Sequence, residues 1–106
     1  MIQKANIAGI NPEELHRLGS VFEQEPNLRE VILYGSRAKG THRPGSDIDL
    51  TLKGTALTTA WLMDLSAKID DLLLPYEVDL SIFEHIDNPD LIEHISRVGK
   101  VVFSNE

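Results

Sequence analysis

Cysteine is absent from the 106-residue sequence, which excludes a disulfide framework, a thiolate metal site and a thiol nucleophile. No apolar run approaches the ~20 residues that a membrane span requires. The N-terminal Met1-Ile2-Gln3-Lys4 lacks the apolar segment of a signal peptide. The expected compartment is therefore the cytoplasm, with no membrane partner. There is no internal repeat, low-complexity tract or linker, so residues 1–106 read as a single domain. Basic residues are also in deficit. Ten Lys and Arg against 17 Asp and Glu leave a formal charge of −7, which argues against direct nucleic-acid binding by bulk electrostatics. The composition, 42% hydrophobic and 25% charged, is that of an ordinary globular domain and not of a disordered, collagen-like or coiled-coil chain.

The cations that are present cluster. Between Ser36 and Ser46 lie Arg37, Lys39, Arg43 and His42 with no acid, and Asp47 and Asp49 follow at once. An acidic protein that gathers cations in its most glycine-rich stretch is suited to handling a small anion there.

Hydrophobic periodicity orders the elements. Asn11-Pro12-Glu13-Glu14 predicts a helix start, with Asn as N-cap, Pro at the first helical position and Glu three after the cap. Leu15, Leu18 and Phe22 then form one apolar stripe. Val31 to Tyr34 is a continuous apolar run that predicts a buried strand, and Gly35 to Gly45 is turn-rich with room for one helical turn at Ser36–Lys39. Asp47 to Leu52 and Glu77 to Ile82 both alternate polar and apolar, the period of half-buried strands. Leu62, Leu65, Ile69 and Leu72 predict a helix between them that stops before Pro75. Asn88-Pro89-Asp90 opens a last helix carrying Leu91, Ile95 and Val98 and capped by Gly99. Val101-Val102-Phe103 is expected as an edge strand or an apolar tail. This order predicts an α/β (α+β) chain with a small sheet covered by helices.

The chemistry concentrates on the alternating strands. Residues two apart on a strand share a face, about 6.6 Å from one another, so Asp47 and Asp49 project together while Ile48, Leu50 and Leu52 face the core. Adjacent carboxylates raise each other's pKa, and a divalent cation relieves the repulsion; Mg²⁺ is the usual ion held by carboxylates, phosphates and water. Asp79 bears the same relation to Val78, Leu80 and Ile82, so an in-register pairing of the two strands would bring three carboxylates together. Such a set suits a two-metal clamp on an in-line phosphoryl displacement, and one carboxylate can take the attacking hydroxyl's proton. Upstream, Gly35 lets the backbone approach a phosphate and Ser36 adds a hydroxyl donor, with Arg37 and Lys39 available to neutralise charge. Gly35-x4-Gly40-Thr41 is not a P-loop, because the Lys expected between the second Gly and the Thr is missing. The Rossmann glycine pattern is absent as well.

Gly35-Ser36, ten residues, then Asp47-Ile48-Asp49 reproduces a G-S-x10-D-x-D signature. In this the sequence resembles the minimal nucleotidyltransferases, the smallest members of the DNA polymerase beta-like nucleotidyltransferase superfamily. The resemblance runs from the strand at Val31 to the strand carrying Asp79. It implies a nucleotidyltransferase fold with a mixed sheet of three to four strands flanked by helices. It also implies nucleotide phosphates on Gly35 and Ser36, two Mg²⁺ ions on Asp47, Asp49 and Asp79, and transfer of AMP from ATP to a hydroxyl with release of pyrophosphate. Glu77, on the same face as Asp79, is the substitute candidate for the third acid.

Larger nucleotidyltransferases carry a second domain for the acceptor, whereas the residues after Asp79 suffice for one helix and a tail. The acceptor is therefore expected on another chain, and a homodimer or hetero-oligomer is compatible with the small size. Proteins of this kind resemble the antitoxin half of HEPN/MNT toxin–antitoxin modules, which implies a HEPN-domain partner as the AMP acceptor. Two other readings stay open: a split small-molecule nucleotidyltransferase with its acceptor pocket on a partner chain, and a non-catalytic antitoxin that acts by complex formation. Leu57, Trp61 and Met63 are the expected partner surface, although Trp61 alone reads as a cap on the core edge. The histidines at 16, 42, 85 and 94 have no metal-ligand spacing and read as surface residues, His42 lying close enough to the motif to touch nucleotide. Ser81 reads as an ordinary strand residue.

Overall fold

The computed structural model describes residues 2–4 and 6–105; Met1, part of the N-terminal segment considered above, lies outside them. Among the described residues, five strands form one mixed sheet in the order β1-β5-β2-β3-β4. They are β1 (Ile2–Lys4), β2 (Leu28–Tyr34), β3 (Ile48–Gly54), β4 (Val78–Ile82) and β5 (Lys100–Asn105), and the helices are α1 (Pro12–Glu23), α2 (Ser36–Lys39), α3 (Thr59–Asp70) and α4 (Pro89–Val98). β3 and β4 run parallel and the other neighbours antiparallel. The parallel pair needs a crossover, which α3 supplies.

Local signals in the sequence explain the helix boundaries. At α1 the Asn11 side chain accepts from the Glu14 N–H at 2.8 Å and the Glu14 carboxylate accepts from the Asn11 N–H at 3.3 Å, a reciprocal capping box on the helix that Pro12 opens. Thr58 caps α3 by accepting from the Trp61 N–H at 3.1 Å. Asn88 caps α4 in the same manner.

The sheet has two unequal faces. On one, Val31, Leu33, Ile48, Leu50 and Leu52 join Leu15, Leu18 and Phe22 of α1 and Leu65 and Ile69 of α3 in the buried core. On the other, Ile32 and Ile95 are buried outside that core cluster, because α4 packs there against β2. The polar residues of β3 and β4 lie on this second face.

Three expectations change. The C-terminal segment is an inner strand, not an edge or a tail. β5 pairs with β2 on one side and β1 on the other, since β2 is apolar on both faces and both of its edges need partners; Phe103 also packs on Phe22 with ring centroids 5.0 Å apart. The short β1 gives the sheet a fifth strand. The expected partner surface of Leu57, Trp61 and Met63 reduces to Met63, which is 68% exposed, whereas Leu57 is buried. Trp61 caps the core edge and its indole N–H donates to Glu25 at 2.7 Å. The buried Glu25 carboxylate also accepts from Lys68 at 3.2 Å, so this network ties the end of α1 to α3. Among the described residues, no helix is long and apolar enough to cross a membrane.

α3 ends short of Leu72 because the chain turns left-handed at Leu73, with φ +54°. Leu73 is 86% exposed, so its side chain recovers little by packing, and a non-glycine residue in this region costs about 1–2 kcal/mol. Leu73→Gly removes that strain at some cost in unfolded-state entropy. The variant is expected to gain about 0.5–1 kcal/mol in urea denaturation, and a loss of stability would contradict the assignment of strain.

Candidate active site

β3 and β4 align Asp49 with Asp79 and Thr51 with Ser81, and β2 places Tyr34 opposite Asp49 and Ile32 opposite Thr51. Across the second face this makes two rows, Tyr34–Asp49–Asp79 and Ile32–Thr51–Ser81. The Ser81 hydroxyl donates to Thr51 Oγ1 at 2.9 Å, which braces the two strands beneath the acids. Asp47 lies two residues before Asp49, at the point where the chain enters β3.

The electrostatics reflect this clustering. Burial raises the Asp49 pKa, the charges of Asp79 and then Asp47 raise it further, and His94 and Arg37 offset part of the effect. The Tyr34 hydroxyl is also raised, mainly by burial, with Asp79 and Asp49 adding to it against a Ser81 hydrogen bond. Two aspartates thus act on the third through space. Asp79 stands beside Asp49 in the β3–β4 register, whereas Glu77 precedes β4 and lines a cavity of about 250 Å³ with Ile69, Leu73, Leu74 and Tyr76.

Gly35 joins β2 to α2 with φ +75° and ψ −156°, a region open essentially to glycine alone. A Cβ there would sit 2.2 Å from Asp49 Oδ2. The carboxylate therefore lies directly against the Gly35 backbone, and the glycine is required twice over. The Gly35 N–H donates to His94 Nε2 at 3.1 Å. Ser36, half-buried, opens the four-residue α2, whose last residue, Lys39, is exposed.

Arg37 departs from its expected place on the phosphates. It is 3% exposed, and its guanidinium donates to the Ala8 carbonyl at 2.5 Å and twice to the Ser46 carbonyl, at 2.7 and 3.2 Å. It also lies over the Tyr76 ring, 5.0 Å from the centroid. Its task is to clamp the loop that delivers Asp47. Behind that loop, Gly9, Arg37, His42, Arg43, Pro44, Gly45 and Tyr76 line a cavity of about 340 Å³. His42 Nδ1 is buried against it without a protein hydrogen-bond partner.

His94, a surface residue by its sequence context, instead belongs to the site. It lies on α4, directly before the buried Ile95, and its ring meets Tyr34 edge-on at 6.1 Å. Nothing in its spacing marks it, because its partner is a backbone N–H 59 residues away.

Three carboxylates offering hard oxygen donors, one of them pushed toward protonation by its burial and then by the other two, form a set that suits Mg²⁺. Among the described residues no group of three His, Asp or Glu side chains already stands as a metal cage. Holding a cation would therefore require the aspartates to turn toward one another.

A family model described as polymerase beta, nucleotidyltransferase matches residues 16–106. No curated protein matches the sequence significantly. Among solved structures, a toxin–antitoxin crystal structure with AMP-PNP matches with a TM-score of 0.68 and 23% identity, over 92% of this chain and 76% of that one. The MntA–HepT toxin–antitoxin structure matches with a TM-score of 0.65 and 18% identity, over 90% and 74%. A tri-AMPylated HEPN toxin in complex with MNT antitoxin, from Shewanella oneidensis, matches with a TM-score of 0.60 and 18% identity, over 87% and 73%. At these identities the likeness is one of fold.

Because the Asp49 pKa is raised, the folded chain holds that proton more tightly than the unfolded chain. The stability it contributes is fully present below the ordinary carboxylate value and is lost as pH rises through the folded value. In metal-free buffer, Asp49→Asn is thus expected to be more stable than the wild type at neutral pH, with the gain shrinking on acidification. Urea denaturation across pH measures this. A gain that grew as pH fell would contradict the clustering.

Proposed function

The chain belongs to the polymerase beta nucleotidyltransferase family, and from that premise we propose that it moves AMP from ATP to a hydroxyl of a HEPN-domain protein, as the antitoxin of a toxin–antitoxin pair. The observation that carries the reading is the register of Asp49 on Asp79 beside the backbone of Gly35. The relatives of known structure support the choice of donor and acceptor, since one was solved with AMP-PNP and another with an AMPylated HEPN toxin. The proposed setting is the cytoplasm, with residues 1–106 acting as one domain.

In this reading Gly35 and Ser36 receive the nucleotide phosphates. Lys39 offsets their charge from the solvent side, and Arg37 contributes by fixing the loop between α2 and β3. Asp47, Asp49 and Asp79 would hold two Mg²⁺ ions, which when bound neutralise phosphate charge and clamp the attacking and leaving oxygens. The acceptor hydroxyl oxygen bonds to the α-phosphorus as the bond to pyrophosphate breaks. Its proton passes to one of the aspartates, for which a carboxylate with a raised pKa is the better base. Pyrophosphate leaves, and the acceptor keeps AMP through a phosphodiester bond.

The product of the adjacent gene supplies the test. Incubated with this protein, Mg²⁺ and ATP labelled in the α-phosphate, that partner is expected to acquire label. Asp47→Asn, Asp49→Asn and Asp79→Asn should each reduce labelling to the level seen without enzyme. Label on a small molecule alone would move the assignment to a split small-molecule nucleotidyltransferase. Partner inhibition that survived all three substitutions would leave complex formation as the mechanism.

A further inference from the structure

We propose that His94 is a positioning residue of the nucleotide site, holding the Gly35 peptide in its glycine-only conformation so that Ser36 faces the phosphates. The inference rests on the nucleotidyltransferase reading above and extends it to a residue on another element.

The chain of contacts begins at the far end of α4. Gly99 follows this helix, and a Cβ there would meet the Ile95 carbonyl at 2.4 Å and Ile32 Cγ2 at 2.9 Å. Lacking that atom, the C-terminal turn of α4 closes directly onto β2, where Ile95 and Ile32 are both buried. The Gly99 N–H donates to the Ile95 carbonyl at 2.8 Å, so the turn is hydrogen-bonded to its last residue. His94 is thereby carried to the end of β2, where its ring rests edge-on against Tyr34 and Nε2 takes the Gly35 N–H.

That N–H has special leverage. Gly35 is free to rotate where any other residue would be constrained, and its φ and ψ decide where Ser36 points. Three contacts hold it: the Asp49 carboxylate packed on its Cα side, the Lys39 N–H donated to its carbonyl at 3.1 Å, and the His94 acceptor on its N–H. The carbonyl bond fixes the helix side of the residue, so removal of His94 leaves the N–H side, where the chain leaves β2, without a partner. A bond accepted at Nε2 uses the imidazole tautomer that carries its proton on Nδ1. A Gln side chain places its carbonyl oxygen at a similar reach and accepts the same bond, which makes His94→Gln the conservative control.

The test uses the intact chain, ¹⁵N-labelled, with two readouts. Amide hydrogen exchange at Gly35 reports the bond itself, and calorimetric titration with Mg²⁺·ATP reports its consequence. His94→Ala is expected to accelerate Gly35 exchange and to weaken Mg²⁺·ATP binding by about tenfold, the scale of one lost hydrogen bond. His94→Gln should restore both toward wild type, and it carries the test if the Ala variant fails to fold. Mg²⁺·ATP binding of equal strength in wild type and His94→Ala overturns the positioning role. Unchanged exchange at Gly35 in His94→Ala overturns it too. Absence of binding in the wild type overturns the nucleotide reading on which the inference stands, a result distinct from either of the others.

Discussion

The close approach of the Asp49 carboxylate to the backbone of Gly35 is the constraint on which the rest of this site depends. It admits no side chain at position 35, and it joins the end of one strand to the beginning of the next. β2 must therefore finish at Tyr34 and turn sharply, α2 must be a single turn, and the loop that follows must bring Asp47 back to the same edge of the sheet. Arg37 serves that return from inside the fold, clamping the Ala8 and Ser46 carbonyls. The parallel partner strand then sets Asp79 beside Asp49, which only a crossover through α3 allows.

The arrangement works against stability. Three carboxylates gather at one end of the sheet, and one of them is partly desolvated. Burial and its neighbours push the Asp49 pKa upward. The opposite face compensates, with large apolar side chains of α1, α3 and four strands in one continuous core. The Glu25–Trp61–Lys68 network locks the two helices over that core. Like-charge repulsion is tolerable in such a frame, and a divalent cation is the ligand that would relieve it. The −7 net charge is thus partly an expression of the site.

Much of this is legible in the sequence, for identifiable reasons. Alternation along β3 and β4 declares which residues share a face, so the pattern alone assigns Asp47, Asp49 and Asp79 to the polar side. The Gly-Ser and D-x-D spacing points to the family, and Asn11-Pro12 to a helix start. Strand pairing is not legible, because periodicity describes one strand at a time; the choice between Asp79 and Glu77 depends on register. Nor is the burial of Arg37, since a cation in a polar loop reads alike whether it meets solvent or backbone carbonyls. His94 carries no signal because a bond to a distant main-chain N–H leaves no motif. Trp61 and Leu57 look available to a partner as sequence, but Glu25 and the core claim them in the fold.

The central claim is that Gly35, Ser36 and the three aspartates make one nucleotide site. A crystal structure of the protein soaked with Mg²⁺ and a non-hydrolysable ATP analogue tests it most directly. The account predicts phosphates against Ser36 and metal density shared by Asp47, Asp49 and Asp79, with the aspartate side chains turned inward from their present positions. Nucleotide bound elsewhere, for instance in the cavity beside His42 and Arg43, with the aspartates left empty, would contradict it.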